Sequence, residues 1–515
     1  MAQFIADLND VRFVLREQVN IDEIAQLKPF ADFEWDDFDM VVTEAANFAR
    51  NVLSPLQAVV DREGSVELID GRVKTPPLYH EVYNAYNAGG WGGVQLNPDL
   101  GGQGLPGVIG ATCMEFFIAS CPSFSFIPGL AKSAGRVIEA VGTRAQVKKY
   151  CHKMYDGTWG GTMCLTEPQA GSAVGDITTS AVVQPDGQYK IRGSKIFISA
   201  GDSDLTENVI HLVLARTPGS PAGTKGISLF VVPADRADGT RNDVAITAME
   251  EKMGIHGSPT CSISFGDENE CIGEILGDEG EGMRHMFLMM NEARIAVGLQ
   301  AAGIANYAYQ LALGYAKERK QGVDVKSMKD PNAERVAIIE HPDVRRMLLK
   351  SKAYAEGTRA LLLVTAGFAD RAEHHEDKKV REMNQHLLEI LTPICKAWGS
   401  YRAFDTADLA IMVHGGYGYI KEYGVEGLLR DIKIAAIYEG TNGIQALDLL
   451  GRKVARKGGL MFMTFLNWMN QFVARWKTDE TVGALAKHVE TSKNTLATLT
   501  MELGGMSRKG DVYYP

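Results

Sequence analysis

The texture of the chain changes twice along its length, and that pattern limits its possible folds more than any single motif. From about residue 38 to 160 apolar residues recur at three and four spacing, as in DDFDMVVTEAANFARNVL, which is the period of helices laid on a core. Between about 161 and 282 the period shortens to β-branched runs cut by turn residues: YKIRGSKIFISAG, NVIHLVLARTPGSP, KGISLFVVPAD, NDVAITAME and PTCSISFGD. This middle block reads as a compact β domain. After GDEGEGM the helical period returns in three long segments, beginning RHMFLMMNEARIAVG, HPDVRRMLLKSKAYAEG and EMNQHLLEILTPICKAWG, and their short joints predict a bundle. Two further amphipathic segments, about 459–476 and 480–504, precede a terminal KGDVYYP without an obvious cap.

A chain of 515 residues exceeds the roughly 250 to 300 at which a single core stops growing, so several packed units are expected. Lys and Arg number 53 against 64 Asp and Glu, a net charge of -11 with no dense basic block, which argues against a nucleic-acid partner. The seven cysteines are scattered, odd in number and without a CxxC pair, suiting reduced thiols better than a disulfide frame or a zinc site. The opening MAQFIADLNDVRFVLREQ carries acids early and no uninterrupted apolar core, unlike a secretory signal or transit peptide. No run reaches the roughly 20 apolar residues of a membrane span. A cytoplasmic protein is expected, with surface association with a membrane left open.

Five short stretches invite a chemical reading, and each also has a bland one. In Met163-Cys164-Leu165-Thr166-Glu167-Pro168-Gln169-Ala170-Gly171-Ser172, small residues let backbone amides and the Thr166 hydroxyl approach a flat heteroaromatic ligand, but an interdomain turn uses the same residue types. Lys195-Ile196-Phe197-Ile198-Ser199-Ala200-Gly201 reads as a strand ending in a hydroxyl, and alternation accounts for Phe197 and the isoleucines as strand packing. His414-Gly415-Gly416-Tyr417-Gly418-Tyr419 closes a long helix with a turn able to receive a pyrophosphate, or with an ordinary glycine cap. Arg319, in Tyr315-Ala316-Lys317-Glu318-Arg319-Lys320, reaches a phosphate or complements a helix dipole. The fifth stretch, AAIYEGTNGIQ over residues 435–445, puts a lone carboxylate, Glu439, after an apolar run and before Gly440.

Taken in order, these pieces closely resemble the acyl-CoA dehydrogenase family of flavoenzymes, and the resemblance spans about residues 38 to 455. GWGGVQLNPDLGGQGLP, KIFISAGDSDLTENVIHLVLAR and VHGGYGYIKEYGVEGLLRD narrow it to the longer bacterial branch with an added C-terminal helical region. The fold class so implied is α+β, mainly α. It comprises an N-terminal extension over 1–37, a helical domain over 38–160, a middle β-barrel over 161–282, a four-helix bundle over 283–450 and a helical extension over 451–515.

The resemblance also implies FAD held between barrel and bundle. Met163, Leu165, Thr166, Gly171, Ser172, Phe197 and Ser199 would meet the flavin, with Thr166 and Ser199 as hydrogen-bond partners of the ring. Arg319 would bind the FAD diphosphate of a neighbouring subunit, Gly415 and Gly416 would line the adenosine side, and Thr441 would sit beside the diphosphate. Ser172, Arg294, Glu439 and Gly440 would face the acyl-CoA. Sharing one FAD between subunits makes a homodimer, or a dimer of dimers, the minimal unit. Four departures stand out: Ala173 replaces the usual aspartate, Ser199 a threonine, Phe197 a tryptophan, and Lys320-Gln321-Gly322 follows Arg319 without a phenylalanine.

The reaction implied is α,β-dehydrogenation of an acyl-CoA thioester to the 2-enoyl-CoA, with electrons passed to an electron-transfer flavoprotein. The C2 proton is weakly acidic, so a positioned base is needed while the flavin N5 takes hydride from C3. Glu439 is the candidate, because apolar neighbours disfavour its anion and bring its pKa toward the range useful for proton transfer. Some relatives carry the base on the bundle helix instead; that position here is Ala293, and Glu292 is turned about 100° from it around the helix. An acyl-CoA oxidase, and a flavin-containing DNA-associated stress protein on the same scaffold, are the alternatives. No metal is expected: Glu373-His374-His375-Glu376-Asp377 reads as a solvated helix end, since adjacent histidines on a helix point about 100° apart.

Overall fold

A computed structural model describes residues 3–62 and 64–508 of the chain. The terminal KGDVYYP segment lies outside the described residues. The first part is helical: α1 (Leu8–Phe13), α2 (Ile21–Ala25), α3 (Trp35–Phe48), α4 (Ser54–Val60), α5 (Pro77–Ala88), α6 (Gly107–Ser120), α7 (Pro122–Val141) and α8 (Arg144–Tyr155). A small hairpin, β1 (Glu67–Ile69) and β2 (Arg72–Lys74), interrupts it, an element the helical reading of 38–160 omits. Its signal is Asp70-Gly71, both at positive φ, as a tight two-residue hairpin requires. The Asp202 carboxylate accepts from Arg72 Nε and from the Val73 N–H, both at 2.9 Å, and so ties the hairpin to the β domain.

That domain contains β3 (Trp159–Cys164), β4 (Ser180–Val183), β5 (Tyr189–Ser199), β6 (Asn208–Arg216), β7 (Ile227–Pro233), β8 (Val244–Met249), β9 (Thr260–Phe265) and β10 (Ile272–Ile275). The strands run β10-β7-β6-β4-β5-β9-β8, and a further β10–β5 pairing closes a barrel. β5, eleven residues long, makes that closure possible, because it pairs along its length with β4, β9 and β10. β6, NVIHLVLAR, is buried on both faces, one toward the main core and one toward a second core with α7 and α8, which explains its near-continuous apolar run.

The last part carries the long helices α9 (Gly282–Glu318), α10 (Pro342–His374) and α11 (Lys378–His414), then α12 (Val425–Lys433), α13 (Asn442–Leu447), α14 (Leu460–Trp476) and α15 (Gly483–Arg508). α9, α10 and α11 pack on one another and α12 closes against α9 and α11, the bundle expected from their apolar period. The architecture is mainly helical α+β. Residues of α1 and α2 are buried in the same core as the bundle, and Arg359 of α10 binds Asp10 and Glu115 together. All seven cysteines are buried and unpaired. Among the described residues no helix is long and apolar enough to cross a membrane.

Candidate active site

At the barrel, the loop after β3 is fastened to β5. The Thr166 carbonyl accepts from the Ile196 N–H at 3.0 Å, and Lys195 Nζ donates to the Leu165 carbonyl at 3.0 Å and to Glu167 Oε1 at 2.8 Å. Lys195 and Glu167 are both buried. Desolvation would raise the Glu167 pKa, but Lys195 and hydrogen bonds from Thr179 and Thr178 outweigh it and hold the carboxyl down at about 2. The pair acts as a clamp that sets Thr166 beside the strand.

The strand itself departs from simple alternation. The β5–β9 register shifts between Lys195 and Ile198, and Phe197 sits there at φ 57°. Phe197 is 60% exposed, whereas Ile198 is buried, so the strand-packing account of Phe197 fails. A bulge re-aims a side chain, and here it turns an aromatic ring outward beside the Thr166 loop. Gly171 and Ser172 are exposed on that loop, Met163 and Ser199 are half-buried, and Leu165 is buried.

A second assembly forms where α9 and α11 end. Arg319 is the C-cap of α9 and Gly415 the C-cap of α11, so the glycine turn does act as a cap. The same turn lines a cleft of about 660 Å³ with Arg319, Tyr315, His341, His414 and Gly416. Arg319 lies over the Tyr417 ring at 5.4 Å, and the Tyr315 and His414 rings stack at 4.3 Å. The space around Gly416 is open, with no atom within 4 Å of where a Cβ would stand.

The third assembly holds the carboxylate. α12 runs into a 3-10 turn, Ile434–Ala436, and the chain then reverses through Glu439 at φ 55° and Gly440 at φ 80°. A left-handed glutamate costs of order 1–3 kcal/mol and persists only where surroundings enforce it. Here they do: Gln445 Nε2 donates to the carbonyls of Glu439 and Gly440 at 3.0 and 3.1 Å, and Lys396 Nζ donates to that of Gly440 at 2.7 Å. Gly440 cannot be replaced freely, because its φ of 80° strains any residue with a Cβ, and that Cβ would also displace the Gln445 Nε2 that holds the turn, 2.9 Å away. The Thr441 hydroxyl caps α13, accepting from the Ile444 N–H at 3.2 Å.

Desolvation pushes the Glu439 carboxyl up to about 7, with Arg294 and Lys396 pulling the other way. Among the described residues no donor reaches the carboxylate, and no acceptor takes the Glu439 N–H. Arg294 is buried and bound to Asp448 at 2.8 Å. The neighbouring Tyr438 ring meets Phe126 of α7 edge-on at 6.2 Å, and its hydroxyl donates to Gln300. Glu292 is engaged elsewhere, on Arg136 of α7 at 3.1 Å.

The structure therefore joins Met163, Leu165, Thr166, Phe197 and Ser199 at the barrel, Arg319, Gly415 and Gly416 at the helix ends, and Arg294, Glu439, Gly440 and Thr441 at the reversed turn. It does not join the second group to the third: Arg294 and Arg319 are roughly 37 Å apart along α9 at 1.5 Å per residue. Sequence reasoning missed Lys195, Glu167, Lys396 and Gln445. The signal for Lys396 was a lysine inside the apolar run TPICKAWG; Gln445 gave none, since a glutamine in the first turn of a helix is ordinary.

Three family models match the chain: the acyl-CoA dehydrogenase N-terminal domain over residues 36–158, the middle domain over 162–267 and the C-terminal domain over 280–454. The 3-methylmercaptopropionyl-CoA dehydrogenase of Ruegeria pomeroyi is 41% identical over 88% of this chain and 77% of its own length. The broad-specificity linear acyl-CoA dehydrogenase FadE5 of Mycobacterium tuberculosis is 35% identical over 97% of this chain and 84% of its own. Among solved structures, an acyl-CoA dehydrogenase complexed with FAD from Bacillus anthracis superposes with a TM-score of 0.72 at 23% identity, covering 91% of this chain and 76% of that one, a likeness of fold.

Proposed function

Because the chain belongs to the acyl-CoA dehydrogenase family, whose members are FAD-dependent oxidoreductases, we propose that Glu439 is the base that takes the C2 proton of a saturated acyl-CoA thioester as it becomes the 2-enoyl-CoA. The observation that carries this reading is the Glu439 turn. A carboxylate with no hydrogen-bond donor, strained backbone and a pKa near neutrality is poised to accept a proton rather than to stabilise the fold.

The residues present fit a flavin dinucleotide. An exposed aromatic ring beside hydroxyls at the barrel suits a flat ring, and a cationic cleft with an open glycine turn suits phosphates and a nucleoside. Met163, Leu165, Thr166, Gly171, Ser172, Phe197 and Ser199 would hold the ring system; Arg319, Gly415, Gly416 and Thr441 would hold the diphosphate and adenosine. When bound, FAD supplies the hydride acceptor for C3 and relays the electrons to an electron-transfer flavoprotein. Ser172, Arg294 and Gly440 would border the thioester, and the uncommitted Glu439 N–H would donate to its carbonyl oxygen as charge develops there. The distance along α9 supports a shared site: Arg319 lies far from its own chain's Arg294 and Glu439 turn, beside which Thr441 would meet the diphosphate, so a second copy would supply the arginine, in a homodimer or a dimer of dimers.

The test is the visible spectrum of the purified protein with a panel of acyl-CoA thioesters. Anaerobic bleaching of a yellow chromophore is expected; a colourless protein, or one that no thioester bleaches, overturns the reading. Faster reoxidation by air than by an electron-transfer flavoprotein would make it an oxidase. Two more results are expected. The kcat/KM for the best thioester should rise with pH through about 7, since only the carboxylate accepts a proton, and fall about tenfold per unit below it. Arg319→Ala should weaken FAD retention about tenfold, measured as flavin-to-protein ratio after dialysis, through loss of a charge-assisted contact.

A further inference from the structure

Lys396 of α11 is fully buried beneath the Glu439 turn. Its ammonium donates to the Gly440 carbonyl at 2.7 Å and to Asn442 Oδ1 at 3.0 Å, and Asn442 Nδ2 is itself held on Ser400 Oγ at 3.0 Å. All of these acceptors are neutral. Among the described residues no carboxylate lies within ion-pair distance of Lys396, whereas Lys195, the other fully buried lysine, is locked to Glu167. Burying an ammonium without a paired acid costs several kcal/mol, a cost that leucine or methionine in the same space would avoid. Packing therefore does not account for Lys396.

The charges around Glu439 single it out. From α9 comes Arg294, whose charge is met by Asp448 at 2.8 Å. From the π-helical turn Asp448–Lys453 come Arg452, also on Asp448, and Lys453, whose charged form Asp448 and Glu389 favour from beyond ion-pair distance. Tyr438 donates its hydroxyl to Gln300. Arg294 and Lys396 both favour the Glu439 carboxylate, but of these cations Lys396, from α11, is the one hydrogen-bonded to the turn itself, and the acid that favours its charged form is Glu439.

Resting on the reading of Glu439 as the base, we propose that Lys396 is its positioning residue: it fixes the left-handed turn from beneath, and its charge favours the carboxylate form of Glu439. Desolvation brings the lysine down to about 8, still high enough for it to be mostly charged at neutral pH. The two groups then support one another. The cation lowers the pH at which the base is ready, and its hydrogen bond to the Gly440 carbonyl holds the backbone that aims the carboxyl.

The variants Lys396→Met, Lys396→Gln and Lys396→Arg separate these effects when assayed per bound flavin across pH. Lys396→Met, with neither charge nor donor, should lower kcat about tenfold to a hundredfold. It should also move the acid limb of kcat/KM up by on the order of one pH unit. Lys396→Gln, which keeps a donor, should show the same displaced limb with a smaller loss of kcat, and it carries the test if the methionine variant does not fold. Lys396→Arg should keep the limb where it is. An acid limb unmoved in both neutral variants overturns the proposal, even if they lose stability or flavin, because a merely structural lysine would do that. The underlying assignment is tested apart: substantial turnover in Glu439→Gln would remove the base, whatever Lys396 does.

Discussion

Glu439→Gln is expected to lower turnover by about a thousandfold while leaving FAD content and thioester binding close to those of the unsubstituted protein. Glutamine is isosteric and can adopt the same reversed turn, whose carbonyls are held by Gln445 and Lys396 rather than by the Glu439 side chain. What it lacks is a site for the C2 proton. The result is read by stopped-flow bleaching of the flavin under anaerobic conditions, alongside the spectral shift that ligand binding produces. Loss of flavin together with activity would mean that the carboxyl serves the fold. Bleaching at more than about a tenth of the ordinary rate would place the base elsewhere.

The largest effect on stability is expected at the barrel clamp. Lys195→Met strands the buried Glu167 carboxylate, and breaking a buried pair on one side costs about 3–5 kcal/mol. Five donors besides Lys195 still reach Glu167, from Gln169, Thr178 and Thr179, so the lower part of that range is expected. Because Lys195 also donates to the Leu165 carbonyl, the loop carrying Thr166 should loosen, and flavin retention should fall with the midpoint of thermal unfolding. A companion change, Glu167→Gln with Lys195→Met, removes both charges and should recover part of the loss. A single variant that melts like the original protein would show that the pair contributes nothing net. Unlike Lys396, this lysine should leave the acid limb of the pH profile in place.

Much of the architecture was legible because it is written in short-range periods. Apolar residues at three and four spacing mark α9, α10 and α11 within a few residues of their ends, and the run NVIHLVLAR marks a strand covered on both faces. The hairpin β1–β2 escaped the same reading because three-residue strands carry too few alternations to register, although Asp70-Gly71 was present as a signal. The site was partly legible for a similar reason. A lone acid after an apolar run and before a glycine stands out locally, as does a glycine pair closing a helix.

The chain alone determined the order of helix, sheet and helix, and the lone carboxylate at 439 between an apolar run and a glycine. Only tertiary packing decided that Phe197 turns outward at a bulge, that Lys195 meets Glu167 28 positions away, and that Lys396 lies under Gly440 44 positions away. Periodicity is a property of neighbours within a turn or a pleat, so it is present in the sequence itself. Which cation faces which acid depends on how whole elements pack, and the energy of a buried charge is set by that packing rather than by adjacent residues.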